Sequence, residues 1–181
     1  MKLLFENWRQ YLTENEEMGE PPEVAAIVTF DFDDTLSLSH WGEEEDDWVY
    51  DGPYEKMMDL LRDYHKKGSK IYIVTSRHKE MQDEEGKWFR HMPKVDPPRK
   101  YFKEFQMPVW EFVKKHGIPV VDVIFTNGEV KAEAGNGLVS VGSDVHHDDD
   151  PEEIRAAERV GIKAVVSDPY GDYEVLKRDI K

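Results

Sequence analysis

The chain has 181 residues, of which 39 are acidic and 24 basic, and its formal net charge at pH 7 is −15. This balance disfavours binding along duplex nucleic acid, which requires a basic face. The chain contains no cysteine, so it forms neither disulfides nor thiolate metal sites, and we expect a reducing, cytoplasmic location. No apolar run approaches membrane-spanning length, and a charged residue soon interrupts the apolar start, so we expect neither a membrane span nor a signal peptide.

The beginning of the chain is predicted to stand apart from the main domain. Residues 1–15 have the apolar periodicity of a short amphipathic helix, and the residues up to 23 have the composition of a linker. Residues 24–181 are predicted to form one catalytic domain, since this length supports a single core.

Strands and helices alternate along this domain. Five apolar runs of strand length are predicted at residues 24–30, 70–76, 119–126, 137–147 and 162–166. Helices are predicted at residues 53–68, from about residue 79, and at residues 108–117 and 150–161. This order predicts an α/β fold, a three-layer sandwich with a mainly parallel, Rossmann-like doubly wound sheet.

Residues 37–53 are predicted to be a loop rich in serine, tryptophan and acidic residues. Its aromatic residues Trp41, Trp48 and Tyr50 could stack on a substrate ring or anchor the loop in the core.

Polar side chains follow the first four predicted strands. They are Asp31, Asp33 and Asp34 after the first, Thr75, Ser76 and Arg77 after the second, Thr126, Asn127 and Lys131 after the third, and Asp148, Asp149 and Asp150 after the fourth. Sites in open parallel sheets form beyond the carboxyl ends of the strands, so we expect these groups to converge. Two facing acidic clusters require a divalent cation, and oxygen ligands suit Mg²⁺.

The order of these groups resembles the haloacid dehalogenase (HAD) superfamily of phosphohydrolases. The superfamily has a strand followed by D-x-D-x-T, a Thr or Ser closing the next strand, a Lys, and an acidic pair. These motifs stand here as "FDFDDTL", "IVTSR", "FTNGEVKAE" and "VHHDDDPEEI", within residues 27–166.

The resemblance implies a role for each matching residue. Asp31 would be the nucleophile, and Asp33 would protonate the leaving oxygen and then activate water. Thr75, with Ser76 as the competing choice, would hydrogen-bond a phosphoryl oxygen, and Lys131 would neutralise charge. The implied catalytic set is Asp31, Asp33, Thr75 and Lys131, and the implied substrate-binding set is Thr75, Ser76, Arg77 and Lys131.

The resemblance also implies a set of Mg²⁺ ligands. They would be Asp31, the backbone carbonyl of Asp33, Asp148, and Asp149 either directly or through water. The acidic run could be read one residue later, but Pro151 should open a helix with Asp150 as its N-cap.

Three acidic or histidine positions need separate interpretation. Asp34 stands where the superfamily often has Gly, and we expect it to point away from the site or cap the next turn. Neighbouring strand residues face opposite sides, so at most one of His146 and His147 reaches the site, and we expect a structural role for both.

The sequence thus predicts a Mg²⁺-dependent phosphomonoester hydrolase that acts through an aspartyl-phosphate, with a small phosphorylated substrate such as a nucleoside monophosphate. A nucleic-acid end or a phosphoprotein is an alternative substrate, although the net acidity disfavours the former. A non-catalytic Mg²⁺- or nucleotide-binding module, or a receiver-like signalling domain, is the alternative class. Short connections around the motifs predict little or no cap domain over the site.

Overall fold

The computed structural model describes residues 25–42, 47–79 and 107–179. The predicted N-terminal helix and linker lie outside these ranges, as does the helix predicted to continue beyond residue 79. The proposed division into an N-terminal segment and a single domain with little or no cap therefore stays a prediction. Among the helices in these ranges, none is long and apolar enough to cross a membrane.

The described ranges form seven strands and five helices. The strands are β1 (Ile27–Phe30), β2 (Ser37–Gly42), β3 (Asp47–Pro53), β4 (Lys70–Thr75), β5 (Asp122–Phe125), β6 (Val145–Asp148) and β7 (Lys163–Val166). The helices are α1 (Glu55–Lys66), α2 (Val109–His116), α3 (Leu138–Val141), α4 (Pro151–Arg159) and α5 (Tyr173–Asp179).

Five strands form one parallel sheet in the order β5-β4-β1-β6-β7. From β1 the chain adds strands on one side and then crosses to the other, so the strand order reverses between β1 and β6. Such a reversal leaves a crevice beyond the carboxyl ends of the two strands. The predicted α/β fold with a parallel sheet is confirmed.

Helices cover both faces of this sheet. Ile71 and Ile73 of β4 belong to the larger apolar cluster, which includes Phe112 of α2 and several residues of α1. Val74, which points to the opposite face, belongs to a second cluster with Leu138 of α3 and alanines of α4. Successive side chains of a buried strand point to opposite faces of the sheet, and each face is covered by helices. The result is three layers, with the sheet between two layers of helices.

The prediction of a loop at residues 37–53 is wrong, because strands β2 and β3 of this segment form an antiparallel hairpin. β2 pairs with β3 from Ser37 opposite Pro53 to Gly42 opposite Asp47, with an irregularity after Leu38. The backbone N–H of Tyr54 donates to the carbonyl of Leu36 at 2.9 Å, which closes the base of the hairpin. Strand pairing satisfies the backbone hydrogen-bonding groups of this segment. Its acidic residues favour a loop in a composition argument, although the segment also contains β-forming residues.

The strand predicted at residues 137–147 is also wrong over its first part. Residues Leu138–Val141 form the short helix α3, and only Val145–Asp148 form β6. Gly142 ends α3 with a φ of 74°, a left-handed conformation that glycine adopts without strain. The other strands begin up to three residues later than predicted, with β1 starting at Ile27 and β5 at Asp122.

The predicted start of α4 is confirmed. The side chain of Asp150 accepts a hydrogen bond from the backbone N–H of Glu152 at 2.7 Å, and Pro151 occupies the first helical position. This cap leaves Asp148 and Asp149 as the acidic pair at the end of β6.

His147 packs against aromatic side chains on the α1 side of β6. Its ring stacks on Phe30 with centroids 4.6 Å apart, and it contacts the edge of Tyr64. Among the residues that the structure describes, neither ring nitrogen has a hydrogen-bond partner. Burial lowers the pKa of His147 to about 3, so the folded protein holds this ring neutral.

We expect His147→Phe to reduce the pH dependence of folding stability. The unfolded side chain takes up a proton below pH 6.5 while the folded one does not until about pH 3, so wild-type stability falls as the pH falls between these values. This contribution amounts to about 2 kcal/mol between pH 8 and pH 5. Urea unfolding at both pH values, with a chelator present, would measure it.

Equal losses of stability at pH 5 in the wild type and in His147→Phe would contradict the prediction.

Candidate functional site

The carboxyl ends of β1 and β6 bring two acidic residues together. Asp31 follows the last residue of β1, and its backbone N–H donates to the carbonyl of His147 at 2.8 Å. Asp148 is the last residue of β6. Because β1 and β6 are paired in the sheet, the two carboxylates lie next to each other at the switch point, the place where the strand order reverses.

The ammonium of Lys131 lies between these two carboxylates. Its Nζ is 2.8 Å from Asp31 Oδ1 and 2.7 Å from Asp148 Oδ2, and only 3% of the residue is exposed. Burial alone would lower the pKa of Lys131, but Asp148 and Asp31 outweigh it and hold that pKa well above its usual value. Lys131 is therefore charged, and it belongs to the interior of the cluster.

The two carboxylates respond differently to this environment. Burial raises the pKa of Asp31 well above its usual range, against the opposing charge of Lys131. Burial acts the same way on Asp148, but Lys131 and a hydrogen bond from His146 overcome it and hold the pKa of Asp148 below its usual range. Lys131 and His146 therefore both favour the charged form of Asp148.

Backbone contacts fix Lys131 in this position. Its N–H donates to a carboxylate oxygen of Glu153 at 2.9 Å, and its carbonyl accepts from the N–H of Leu138 at 2.8 Å. Gly137 permits this second contact, because a Cβ on Gly137 would lie only 1.9 Å from the Lys131 carbonyl oxygen. Burial raises the pKa of Glu153 to about 7.

Asp149 adds a third carboxylate to the cluster. Asp31, Asp148 and Asp149 can each offer one oxygen, and these oxygens lie within 4.8 Å of one another. The hydroxyl of Thr35 donates to Asp149 Oδ1 at 3.3 Å. Burial and the charge of Asp148 raise the pKa of Asp149 to about 8. One buried ammonium faces three carboxylates here, so this cluster could hold a metal ion that offsets the remaining charge.

The side chain of Asp33 is paired with Arg77 beside this cluster. Nε and Nη2 of Arg77 donate to the two oxygens of Asp33 at 2.8 and 2.6 Å, a bidentate contact. Nη1 donates to the carbonyl of Met107 at 3.0 Å, and the guanidinium carbon lies 4.7 Å from the centre of the Phe32 ring. Arg77, predicted to bind substrate, thus binds Asp33 in this structure.

The hydroxyl residues predicted for the site close β4, the strand next to β1. Thr75 is fully buried, and its Oγ1 accepts from the backbone N–H of Arg77 at 3.3 Å. Ser76 is exposed, and its carbonyl accepts from the N–H of Gly128 at 2.7 Å. Both residues therefore lie at the correct edge of the sheet, and these two hydrogen bonds connect them to backbone groups of the neighbouring loops.

The side chain of Asp34 is directed towards the hairpin, where it contacts Ser39. Asp34 has a φ of 52°, the left-handed region that glycine favours and aspartate tolerates. Its Oδ1 accepts from the N–H of Ser39 at 3.2 Å and from the hydroxyl of Tyr170 at 3.0 Å. The conformation accounts for an Asp at a position where the resembled superfamily often has Gly, and these contacts agree with the expectation for Asp34.

The sequence offered two roles for the aromatic residues of the hairpin, anchoring in the core and stacking on a substrate, and the structure gives Tyr50 the first. Tyr50 packs edge-on against Phe112, and its hydroxyl lies 3.1 Å from Nε2 of His116, so it anchors the hairpin to α2. Trp41 is 50% exposed. The side chain of Trp48 is outside the described part of the structure.

Sequence reasoning did not find several residues that shape the site. Thr35, Glu153 and Gly137 each hold one of the acidic residues or Lys131 in place through a short-range contact. A weak signal existed for Glu153 alone, because its place in the first turn of α4 puts it at the same sheet edge as Asp148.

No protein-family model matches this chain, and no curated protein matches it significantly. The interpretation of the site therefore depends on its own geometry.

We expect Gly137→Ala to displace Lys131 and destabilise the fold. The added Cβ would overlap the Lys131 carbonyl, which is backbone and cannot rotate away, so we expect a loss of about 1–3 kcal/mol. Urea unfolding would measure the loss.

Gly135→Ala is the matched control, since a Cβ there meets nothing within 4 Å. It should change the free energy of unfolding by about 0.5 kcal/mol or less. Equal effects of the two substitutions would show that the close approach at Gly137 does not constrain Lys131.

Proposed function

We propose that this chain is a Mg²⁺-dependent phosphomonoester hydrolase with an HAD-like fold, in which Asp31 accepts the phosphoryl group. The observation that carries the proposal is the buried contact of Lys131 with both Asp31 and Asp148 at the point where the strand order reverses. A carboxylate attacks a phosphate dianion only where positive charge offsets their repulsion, and Lys131 supplies one such charge next to the nucleophile.

The acidic cluster fits a hard divalent cation. Asp31, Asp148 and Asp149 provide oxygen ligands only, within 4.8 Å of one another, and these suit Mg²⁺. Burial is the largest cause of the raised pKa values of Asp31 and Asp149, and the neighbouring carboxylates raise them further. Bound there, Mg²⁺ would neutralise carboxylate and phosphoryl oxygens.

Asp31 and Asp33 would divide the chemistry between them. An oxygen of Asp31 attacks phosphorus, and the bond to the ester oxygen breaks while Asp33 gives that oxygen a proton. Asp33 then takes a proton from a water molecule that attacks phosphorus. The bond between phosphorus and Asp31 breaks, which releases inorganic phosphate and restores the carboxylate.

Arg77 would change partner during this cycle. In this structure its bidentate contact engages both carboxylate oxygens of Asp33, one of which has to reach the leaving oxygen. A phosphoryl group offers a guanidinium the same bidentate geometry. We infer that an entering phosphoryl group competes with Asp33 for Arg77, which agrees with the substrate-binding role implied for Arg77.

Small phosphomonoesters, including nucleoside monophosphates, are the substrates that we favour. The net charge of −15 opposes long polyanions, so a nucleic-acid end is less favoured, and a phosphoprotein is the other macromolecular alternative. Trp41, half exposed on the hairpin that follows Asp31, supports a substrate with a ring to stack on.

The sheet order argues against a receiver domain. Numbered along the chain, the sheet strands run 3-2-1-4-5, whereas receiver domains have the order 2-1-3-4-5. A non-catalytic cation-binding module on the same fold would keep the acidic cluster but would not turn over a phosphomonoester.

Replacing the nucleophile tests the proposal. We expect Asp31→Asn to lower turnover of p-nitrophenyl phosphate with Mg²⁺ by at least about 10³-fold, because an amide does not replace a carboxylate nucleophile. Asp34→Asn is the control, since Asn also tolerates the left-handed conformation and the amide oxygen can still accept from Tyr170. Wild-type turnover in Asp31→Asn, or no turnover in the wild type, would reject the proposal.

Leaving-group dependence tests the role of Asp33. We expect Asp33→Asn to reduce hydrolysis of an alkyl phosphate about 10²- to 10⁴-fold, and to slow the first step of aryl phosphate hydrolysis much less. An alkoxide needs a proton to leave, whereas p-nitrophenolate does not. Single-turnover release of p-nitrophenol measures that first step, and equal losses with both substrates would contradict proton donation by Asp33.

A further inference from the structure

His146 is a fully buried polar side chain whose two ring nitrogens both have hydrogen-bond partners. Its Nε2 lies 2.8 Å from Asp148 Oδ2, and its Nδ1 lies 2.9 Å from Thr29 Oγ1. Thr29 and His146 are opposite each other in the pairing of β1 with β6. A polar pair costs free energy in the middle of a buried sheet unless each member is satisfied, and here each one is.

The hydrogen bond between His146 and Asp148 has a defined donor. A carboxylate that binds a cation can only accept hydrogen bonds, so Nε2 of His146 carries a proton and donates it to Asp148. Nδ1 then accepts from the hydroxyl of Thr29, whose oxygen can accept from the hydroxyl of Ser143, 2.8 Å away. Asp148 therefore requires the proton on Nε2, and the hydroxyl of Thr29 can satisfy Nδ1.

This contact limits the orientations open to Asp148. Its Oδ2 accepts from both Lys131 Nζ and His146 Nε2, at 2.7 and 2.8 Å. Its Oδ1 accepts from the backbone N–H of Asp150 at 3.0 Å. Oδ1 is therefore the oxygen with remaining acceptor capacity, and the carboxylate cannot rotate without breaking three contacts.

We propose that His146 is a positioning residue for the cation site, which holds Asp148 so that its Oδ1 is presented to a bound divalent cation. The inference rests on the cation site of the proposed function but not on phosphoryl transfer. Groups of this kind behind a metal ligand typically contribute about 10- to 100-fold to metal affinity.

The adjacent residue offers a matched control. His147 is nearly as buried as His146 and is even closer to Asp148 in sequence, but it faces the opposite side of the sheet and stacks on Phe30. If His146 acted through packing alone, shortening either side chain would have the same effect on cation binding.

Calorimetric titration of the full chain with Mn²⁺ tests the proposal. We expect His146→Leu to weaken Mn²⁺ binding about 10- to 100-fold, and His147→Leu to leave it near the wild-type value. His146→Gln should recover most of the loss, since its amide N–H can donate to Asp148. Thr29→Val, which removes one hydroxyl with little change of volume, should weaken binding less than His146→Leu and serves where that variant does not fold.

The ring tautomer gives a second measurement. Nitrogen-15 NMR of histidine-labelled protein should show a proton on Nε2 of His146 at pH 8, and an Nε2 without a proton would overturn the proposal. Equal Mn²⁺ affinities in the wild type, His146→Leu and Thr29→Val would also overturn it, as would equal losses in His146→Leu and His147→Leu.

The outcomes also separate this proposal from the proposed function. Mn²⁺ binding that depends on His146, in a protein that turns over no phosphomonoester, would support the positioning role and reject the hydrolase. Turnover in the wild type with Mn²⁺ binding unaffected by His146→Leu would do the reverse. A wild type that binds no Mn²⁺ would reject both.

Discussion

The buried contact of Lys131 with Asp31 and Asp148 is the interaction on which the rest of the site depends. Strand pairing forces these two carboxylates together, and without the ammonium they would repel each other in an environment that screens poorly. Removing one partner from a buried ion pair commonly costs about 3–5 kcal/mol, since an uncompensated charge remains. Folding and the proposed chemistry therefore both require Lys131.

The position of Lys131 is itself the result of a long connection. Lys131 lies in the connection between β5 and β6, which also contains Gly137 and α3. This connection packs on the face of the sheet opposite α1, so Lys131 reaches the acidic cluster from that face. Asp33 and Arg77 link the ends of β1 and β4 in a second ion pair beside it. The site thus combines groups from both sides of the switch point, and the sheet order and the connections between the strands together decide which groups meet.

Short-range sequence patterns were sufficient to predict the start of α4 and the buried strands of the sheet. The Asp150 cap with Pro151 behind it and the buried strands at the two sides of the switch point follow from short-range patterns. The hairpin at residues 37–53 was missed because its acidic residues outweigh the β-forming ones in a composition argument, although pairing decides the outcome. Helix α3 was missed because "LVSV" is as apolar as a strand.

Contacts between distant residues explain the remaining differences. Asp33 and Arg77 are far apart in the chain, and no local pattern indicates that they pair. The resemblance placed Lys131 in the site, whereas its burial and its backbone contact with Glu153 depend on how α3 and α4 pack. His146 and His147 could be assigned to opposite faces by alternation, but which of them meets Asp148 depends on the three-dimensional structure.

The closed base of the β2–β3 hairpin has a consequence for how chains of this kind can diversify. The hydrogen bond from Tyr54 to Leu36 and the pairing of Ser37 with Pro53 join the two ends of the hairpin next to Asp31. Residues inserted between β2 and β3 would lengthen a loop whose ends are already held together, at an entropic cost that grows only with the logarithm of its length. New surface for recognising a substrate could therefore be added there without moving the nucleophile.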